Sequence, residues 1–397
     1  MDSGRPAGAI VMGGDYRGLG VVRSLGRHGI PVWVLHEGGQ LLATLSRFTR
    51  RSVPWPHGDE AERVGFLVDL ASRNGLEGWA LFPTGDEAAA LVARHHAELS
   101  NWYRPTTQPW DVLRWAYDKR LTCQLADKLH VSHPWTFCPR SRAELAETDV
   151  VFPVILKPAF RTDFNPLTVA KAWRVDDRPS LLARYDEACA FMDPKVLMVQ
   201  ELIPGRGEAQ FSYAAICQEG RSLASLVARR LRQFPMDFGR ASTFVETVDE
   251  PAVIAPAVRI LEAMKFTGIV EVEFKRDPRD GQYKLLDINP RVWGWHTLGG
   301  RAGVDFPYLL WLLTSGAAVP ESRPQIGVRW MRASTDLRTV IIEILRGRLS
   351  LGQYSRTLRG PREPAIFSSD DPWPGLMELP LLAYLLGRRV FRGGQIA

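Results

Sequence analysis

Residues 268–291 read GIVEVEFKRDPRDGQYKLLDINPR, and this stretch constrains the chain more than any other. Apolar and polar side chains alternate on both sides of Asp280-Gly281, a pair suited to a tight turn. The pattern predicts a hairpin with strands over 268–275 and 283–288. Side chains two apart on a strand share a face. Glu271 and Glu273 therefore project together, as do Asp287 and Asn289 across the turn, with Arg291 two residues further on. Oxygen-bearing side chains converging on one sheet face suit a hard divalent ion, and Mg2+ usually keeps phosphates and waters as its other ligands. Glu273, Asp287 and Asn289 are the predicted ligands. A solvated polar face with cross-strand pairs would give the same alternation, but Asn-Pro-Arg closing a buried apolar strand favours the ion.

Two lysines stand where an anion can be met. Lys157 closes an apolar strand predicted over 150–156, and Lys119 lies in a helical run predicted over 111–129. A compact ammonium at a strand end suits a phosphate oxygen, although each lysine taken singly reads more readily as solvated. A third piece is VQELIPGRGE, residues 199–208, where a strand over 196–202 runs into Pro204-Gly205 and then Glu208. Backbone groups at such a strand edge can read a nucleotide base, and a carboxylate its ribose. Alone, the segment is also any strand that enters a turn.

Upstream, an apolar run over 9–12 stops at Gly13-Gly14. A helix over about 19–28 follows, then strands over 31–35 and 79–82 and a helix over 86–95. Strand, glycine turn, helix and strand in succession predict a parallel sheet covered by helices. Gly13, Gly14, Gly18 and Gly20 do not form G-x-G-x-x-G, and His36 rather than an acid ends the second strand. The turn is therefore read as structural, not as a dinucleotide site. The Pro- and Thr-rich segment 104–109 marks a boundary. The expected organisation is an α/β domain over 1–109, an α+β domain over 110–320 and an extension over 321–397.

Composition limits the function classes. The chain has 397 residues, 45% apolar and 24% charged, within the range of soluble globular proteins. Its net charge of +6 is spread without a long basic block, so no nucleic-acid arm is expected. Cys123, Cys138, Cys189 and Cys217 have no metal-binding or disulfide-framework spacing, which fits a reducing, cytoplasmic setting. No signal-peptide pattern and no membrane-spanning run is expected.

In this order, a helix lysine, a strand lysine in Ile155-Leu156-Lys157-Pro158, a hinge with Glu201 and Glu208, then Glu273, Asp287, Asn289 and Arg291, the chain resembles the ATP-grasp superfamily. The resemblance covers roughly 110–310, behind a matching pre-ATP-grasp domain. EVEFKRD, LLDINPRVWGW and AGVDFP are most similar to the carboxylate–amine ligases related to carbamoyl-phosphate synthase and D-aspartate ligase. The resemblance implies a nucleotide held between two lobes, about 120–198 and 199–320. Lys119 and Lys157 would bind ATP phosphates, and the backbone of Gln200, Glu201, Leu202 and Ile203 would meet adenine. Glu208 would take the ribose. Glu273, Asp287 and Asn289 would hold Mg2+ or Mn2+, and Arg291 would stabilise the transferring phosphoryl group or acyl phosphate. The implied reaction activates a carboxylate as an acyl phosphate and joins it to an amine, releasing ADP and phosphate. Its alternatives are bicarbonate as phosphoryl acceptor, and a non-catalytic nucleotide-binding regulatory module. Two departures stand out. The second metal acid is Asp287 where Glu is common, and the loop AFRTDFNPLT after Lys157 has no glycine, leaving Arg161 or Lys171 to supply charge.

The run Arg229-Arg230-Leu231-Arg232-Gln233-Phe234-Pro235, with Arg240 beyond, lies where related ligases place a loop over the substrate site. Arg232 is the predicted contact to an anionic substrate, although a solvated loop explains the run as well. Trp293, Trp295 and His296 either wall the acceptor site or pack in the core. Residues 376–386 are apolar apart from Glu378 and Pro380 and precede Arg388, Arg389 and Arg392. Packing onto the body or onto a dimer partner is the favoured reading there, with peripheral membrane contact as the alternative. Homodimers are common among the ligases the chain resembles.

Overall fold

The structure, a computed structural model, describes residues 7–160, 165–236 and 241–391, with 386–391 by backbone alone. Arg161, Arg240 and Arg392, and the side chains of Arg388 and Arg389, lie outside the described set. The N-terminal sheet is parallel throughout. Its order is Thr49–Pro54, Val32–His36, Ala9–Met12, Trp79–Pro83, Tyr103–Pro105. The strand order reverses beside Ala9–Met12, and in open α/β sheets such a switch opens a crevice at the strands' carboxyl ends. Two helices begin there. Asp15 caps Tyr16–Arg27 by accepting from the Arg17 and Gly18 amides, and Asp86–Arg94 starts just after Trp79–Pro83. Gly13, at φ +137°, leaves no room for a side chain, since a Cβ would lie 2.1 Å from the Thr84 hydroxyl.

A seven-stranded sheet forms the centre. Its order is Tyr283–Asn289, Gly268–Arg276, Gln210–Gln218, Arg221–Phe234, Ala241–Thr247, Arg329–Met331, Arg362–Pro364. The expected hairpin is present, with Glu271 opposite Asn289 and Glu273 opposite Asp287. The extension beyond residue 320 supplies the last two strands of this sheet, so it is woven into the body. A four-stranded antiparallel sheet, ordered Thr136–Phe137, Leu197–Glu201, Val154–Pro158, Trp173–Val175, makes a smaller lobe with its own core around Leu156, Leu181 and Val199.

Several expectations are corrected. The single helix over 111–129 is two, Trp110–Tyr117 and Lys119–Lys128, because Asp118 is extended and its carboxylate accepts from the Arg120 amide. Lys119 thereby opens a helix rather than lying inside one. Part of the 104–109 linker belongs to the edge strand Tyr103–Pro105. The arginine run expected as a loop is the end of Arg221–Phe234, and the ladder to Ala241–Thr247 irregularly shifts register on both sides of Arg232. The helix Glu60–Asn74 carries a readable capping box, Asp59 with Glu62, and ends at Gly75 with φ 62°.

The main core does not stop between the sheets. Leu19, Val21 and Val22 of the first helix share one buried cluster with Ile216 of the central sheet, Trp293 and Leu309. A Cβ on Gly20 would lie 2.5 Å from His296 Nε2, so this helix meets the segment after the hairpin at contact distance.

Candidate functional site

A cleft of about 680 Å3 lies between the N-terminal sheet, the smaller lobe and the hairpin face of the central sheet. Lys119, Lys157, Gln200, Glu201, Leu202, Ile203, Glu273, Asp287, Asn289 and Arg291 all line it. Segments far apart in sequence are thus brought to one place.

The hairpin register sets the floor. Asn289 Nδ2 donates to Glu271 Oε2 at 3.0 Å and to Glu273 Oε1 at 2.9 Å, which fixes its amide. Glu271 also accepts from Ser212 Oγ and Trp295 Nε1, both at 2.9 Å, and is fully enclosed. Burial, and then the neighbouring Glu273, push the Glu271 carboxyl well above the usual range. Burial alone would raise Glu273 too, but Arg230 and Lys171 outweigh it and hold Glu273 below its ordinary value. Two glutamates on one strand face are thereby pushed in opposite directions, Glu271 up and Glu273 down.

Asp287 and Glu273 of the hairpin each meet a cation. Lys119 Nζ lies 3.0 Å from Asp287 Oδ1, and Arg230 Nη2 lies 3.1 Å from Glu273 Oε2. Burial pulls the Lys119 ammonium down, but Asp287, Asp86 and Glu273 raise it overall. Lys157 Nζ donates to Gln200 Oε1 at 2.8 Å, and Gln200 Nε2 donates to Thr136 Oγ1 at 2.9 Å. Burial, then the charge of Lys119, lower the Lys157 ammonium to about 8. Lys171 lines the same cleft, and burial lowers it against the opposing pull of Glu273. Seven Lys or Arg side chains line the cleft against six carboxyls. The balance is positive, as a polyphosphate requires.

Arg291 is anchored from the N-terminal sheet. Its Nε and Nη2 donate to Asp86 at 2.7 and 3.0 Å, while Nη1 donates to Val292 O and Nη2 to Asn289 Oδ1, both at 3.1 Å. Asp86 is held far below the usual carboxylate range. Burial would raise it, and Arg291 and then Lys119 reverse this. Sequence reasoning missed Asp86, although an acid just after a strand ending Pro83-Thr84-Gly85 was a usable signal. It also gave no role to Tyr16 and Arg17, which reach the cleft from the turn after the first strand.

The hinge is held by Lys275, whose Nζ donates to Ile203 O at 2.8 Å and Gly205 O at 2.7 Å. The Glu201 carboxylate pairs with Arg279 and, at 3.6 Å, with Lys284. Its backbone N–H donates to Trp135 O at 2.8 Å, and that of Leu202 to Pro153 O at 3.2 Å.

Two expected contacts are not brought to the cleft. Glu208 is exposed in the short turn Gly207–Ala209 and faces a separate depression with Arg229 and Tyr283. The residue that reaches the cleft two positions later is Gln210, which accepts a hydrogen bond from Arg230. Arg232 is buried elsewhere. It forms a two-bonded pair with Asp336, both at 2.8 Å, and its guanidinium lies 4.2 Å from the Phe244 ring centre. The register shift beside Arg232 gives Arg230 and Arg232 different surroundings, so Arg230 is the arginine that meets the hairpin acids. His296 is enclosed, with Nδ1 2.8 Å from Trp293 O, and burial lowers its pKa to about 4. It is a neutral packing residue, whereas Trp293 and Trp295 do reach the cleft.

The donor set fits Mg2+. Glu273, Asp287 and Asn289 offer hard oxygens on one face, and the cations now paired with the two acids mark where positive charge is favoured. Among the described residues no three His, Cys, Asp or Glu side chains form a complete cage. An ion held here would take its remaining ligands from phosphate oxygens and water, the usual mode for Mg2+.

Comparison with known proteins agrees with this geometry. Residues 193–334 match the family model described as ATP-grasp in the biosynthetic pathway with Ter operon. D-aspartate ligase of Enterococcus faecium is 25% identical over 226 residues, 54% of this chain and 53% of that protein. The chain thus spans about half the length of the curated relative it matches. Among solved structures, L-amino acid ligase from Bacillus licheniformis superimposes with a TM-score of 0.62 at 16% identity, covering 81% of this chain and 78% of the other. N5-carboxyaminoimidazole synthetase from Staphylococcus aureus gives 0.61 at 13% identity, covering 81% and 80%. Biotin carboxylase from Campylobacter jejuni gives 0.63 at 15% identity, covering 80% and 73%. The expected α/β domain followed by a two-lobed α+β domain is the architecture observed, it is the fold of these solved structures, and residues 193–334 of it match an ATP-grasp family model.

Proposed function

We propose that the protein is an ATP-dependent ligase that activates a small-molecule carboxylate as an acyl phosphate and joins it to an amine, releasing ADP and phosphate. The observation that carries this reading is the pairing of Lys119 and Arg230 with the hairpin acids Asp287 and Glu273 in one cleft that Lys157 and Arg291 also line. A carboxylate and ATP repel each other, so a catalyst of this reaction must neutralise charge and align the reactants. Lys119, Lys157 and Lys171 are placed to bind phosphate oxygens. Gln200 holds the Lys157 ammonium in position, and the backbone of 200–203 lines the end of the cleft suited to a base. Gln210, rather than Glu208, is placed to meet the ribose.

Glu273, Asp287 and Asn289 would hold Mg2+, which when bound supplies charge neutralisation along the phosphates. Arg291, fixed by Asp86, directs its guanidinium at the transferring group. A carboxylate oxygen attacks the γ-phosphorus while the bond to the β,γ-bridging oxygen breaks, leaving ADP. The amine then attacks the acyl carbon, phosphate departs with the C–O bond electrons, and the amine loses a proton. No side-chain nucleophile is required. A cytoplasmic setting belongs to the same reading, supported by four cysteines that are all free thiols.

The test is ADP release with Mg-ATP and hydroxylamine across pools of carboxylic acids. Hydroxylamine traps an acyl phosphate as a hydroxamate, so the amine need not be known. The expected result is ADP and hydroxamate in step with one pool, both abolished in Glu273→Gln while near-UV circular dichroism stays native. ADP release with bicarbonate alone would move the assignment to carboxyphosphate formation. ATP binding without turnover in any pool would favour a regulatory module.

A further inference from the structure

Eleven of the fifteen large apolar side chains that lie exposed among the described residues fall after residue 325. They are not scattered. Leu337, Ile341 and Leu345 recur at helical spacing along Ala333–Leu345 and are 55%, 49% and 82% exposed, and Leu351 opens the next helix at 72%. Ser334 lies on the same stripe, and its hydroxyl donates to Glu378 at 2.6 Å. That bond sets the C-terminal helix, Trp373–Phe391, beside the stripe, where it adds Leu376 at 58% and Leu379 at 66%. Exposed apolar side chains gathered on neighbouring helices in this way mark an interaction site.

The charge around it is one-sided. Arg338, Arg346, Arg348, Arg356, Arg359 and Arg362 are all exposed, and residues 333–362 contain no lysine. The only acids in that span, Asp336 and Glu343, are buried and already paired, Asp336 with Arg232 and Glu343 with Arg206. The surface therefore presents arginine and hydrocarbon with no exposed carboxylate between 333 and 362.

We infer that this face docks on an anionic lipid surface. A second copy of the chain is the poorer occupant. A two-fold contact would set the same patch against itself and bring arginine against arginine. A lipid bilayer supplies both complements, negative headgroups for the guanidinium groups and hydrocarbon for the leucines. Trp373 and Tyr384, 62% and 54% exposed on the C-terminal helix, are residue types that favour the headgroup boundary. No described helix is long and apolar enough to cross a membrane, so the helices would lie in the interface. Partial apolar insertion and basic attraction together provide the two signals that stable peripheral attachment needs.

The full chain is tested by co-sedimentation with phosphatidylcholine vesicles, with and without phosphatidylglycerol. Binding is expected only with phosphatidylglycerol, and weakening as salt is raised. Arg356→Glu/Arg359→Glu should weaken it by about tenfold or more, since each basic residue near such a surface contributes about fivefold. Leu345→Asp/Leu351→Asp should also weaken it by at least about tenfold by removing the inserted hydrocarbon. Both pairs lie away from the cleft, so unchanged ATP binding verifies that each variant is folded. Equal binding to both vesicle types, or none to either, overturns the inference. So does a concentration-dependent dimer that Leu345→Asp/Leu351→Asp dissolves without any lipid binding, which would assign the face to self-association.

Discussion

Replacing Asp86 tests whether the N-terminal sheet holds Arg291 in its working position. The Asp86 side chain is 28% exposed and Arg291 11%, and two bonds of 2.7 and 3.0 Å join them. A hydrogen bond to a charged group contributes about 1.5–3 kcal/mol, and the partial exposure of Asp86 places each of these near the lower end. Asp86→Ala should therefore cost about 3 kcal/mol, and Asp86→Asn, which keeps one acceptor, about half as much. Part of the cost falls on folding, read from urea denaturation. The rest falls on catalysis, because the freed guanidinium keeps only its two 3.1 Å contacts to Asn289 and Val292. A share of about 1.4 kcal/mol corresponds to a tenfold loss in kcat for ADP release. The Kd for ATP should move by less than about threefold, since the loss is confined to the transferring group. In a double-mutant cycle Asp86→Ala and Arg291→Gln should be strongly non-additive. Additive effects, or native kcat and stability in Asp86→Ala, would refute the argument.

Two further outcomes follow from the cleft. Gln210→Ala should weaken ATP binding measured by calorimetry, while Glu208→Ala leaves it unchanged; the opposite ranking would reverse the assignment. The Lys157 ammonium, lowered to about 8, is the group expected to make nucleotide binding pH-dependent. Phosphates favour its charged form, so ATP should bind with proton uptake near pH 8 and with rising Kd between about pH 7 and pH 9. Lys157→Met should bind weakly with a flatter profile, and an unchanged slope would remove Lys157 as the cause. The same group disfavours folding below its folded value. Its contribution to stability improves as pH rises from about 8 toward its ordinary 10.5, because the unfolded chain then holds the extra proton.

The hairpin was legible because every local signal agreed. Asp280-Gly281 set the turn, alternation set the faces, and register then placed Glu273 opposite Asp287. Lys157 was legible because it follows an apolar run, whereas Lys119 was read inside a helix that it in fact opens. What could not be read depended on events without local periodicity. The extended Asp118 splits a helix that the apolar spacing continues through. A three-residue turn at Gly207–Ala209 carries Glu208 away from the cleft and leaves Gln210 to reach it. The register shift beside Arg232 turns an arginine run into one cleft residue and one buried structural pair. Asp86 acts on a residue more than two hundred positions away, a relation that no window along the chain displays.

The cluster that joins Leu19, Val21 and Val22 to Trp293 and Leu309 bears on how such a chain can diversify. Because the first sheet and the central one share this apolar cluster, transplanting the N-terminal half from a relative would set two mismatched apolar surfaces together. New specificity is more accessible through single replacements at Tyr16 or Arg17, which the shared core leaves at its rim. The smaller lobe, with Leu156, Leu181 and Val199 packed among themselves, is the part that recombination could exchange as a unit.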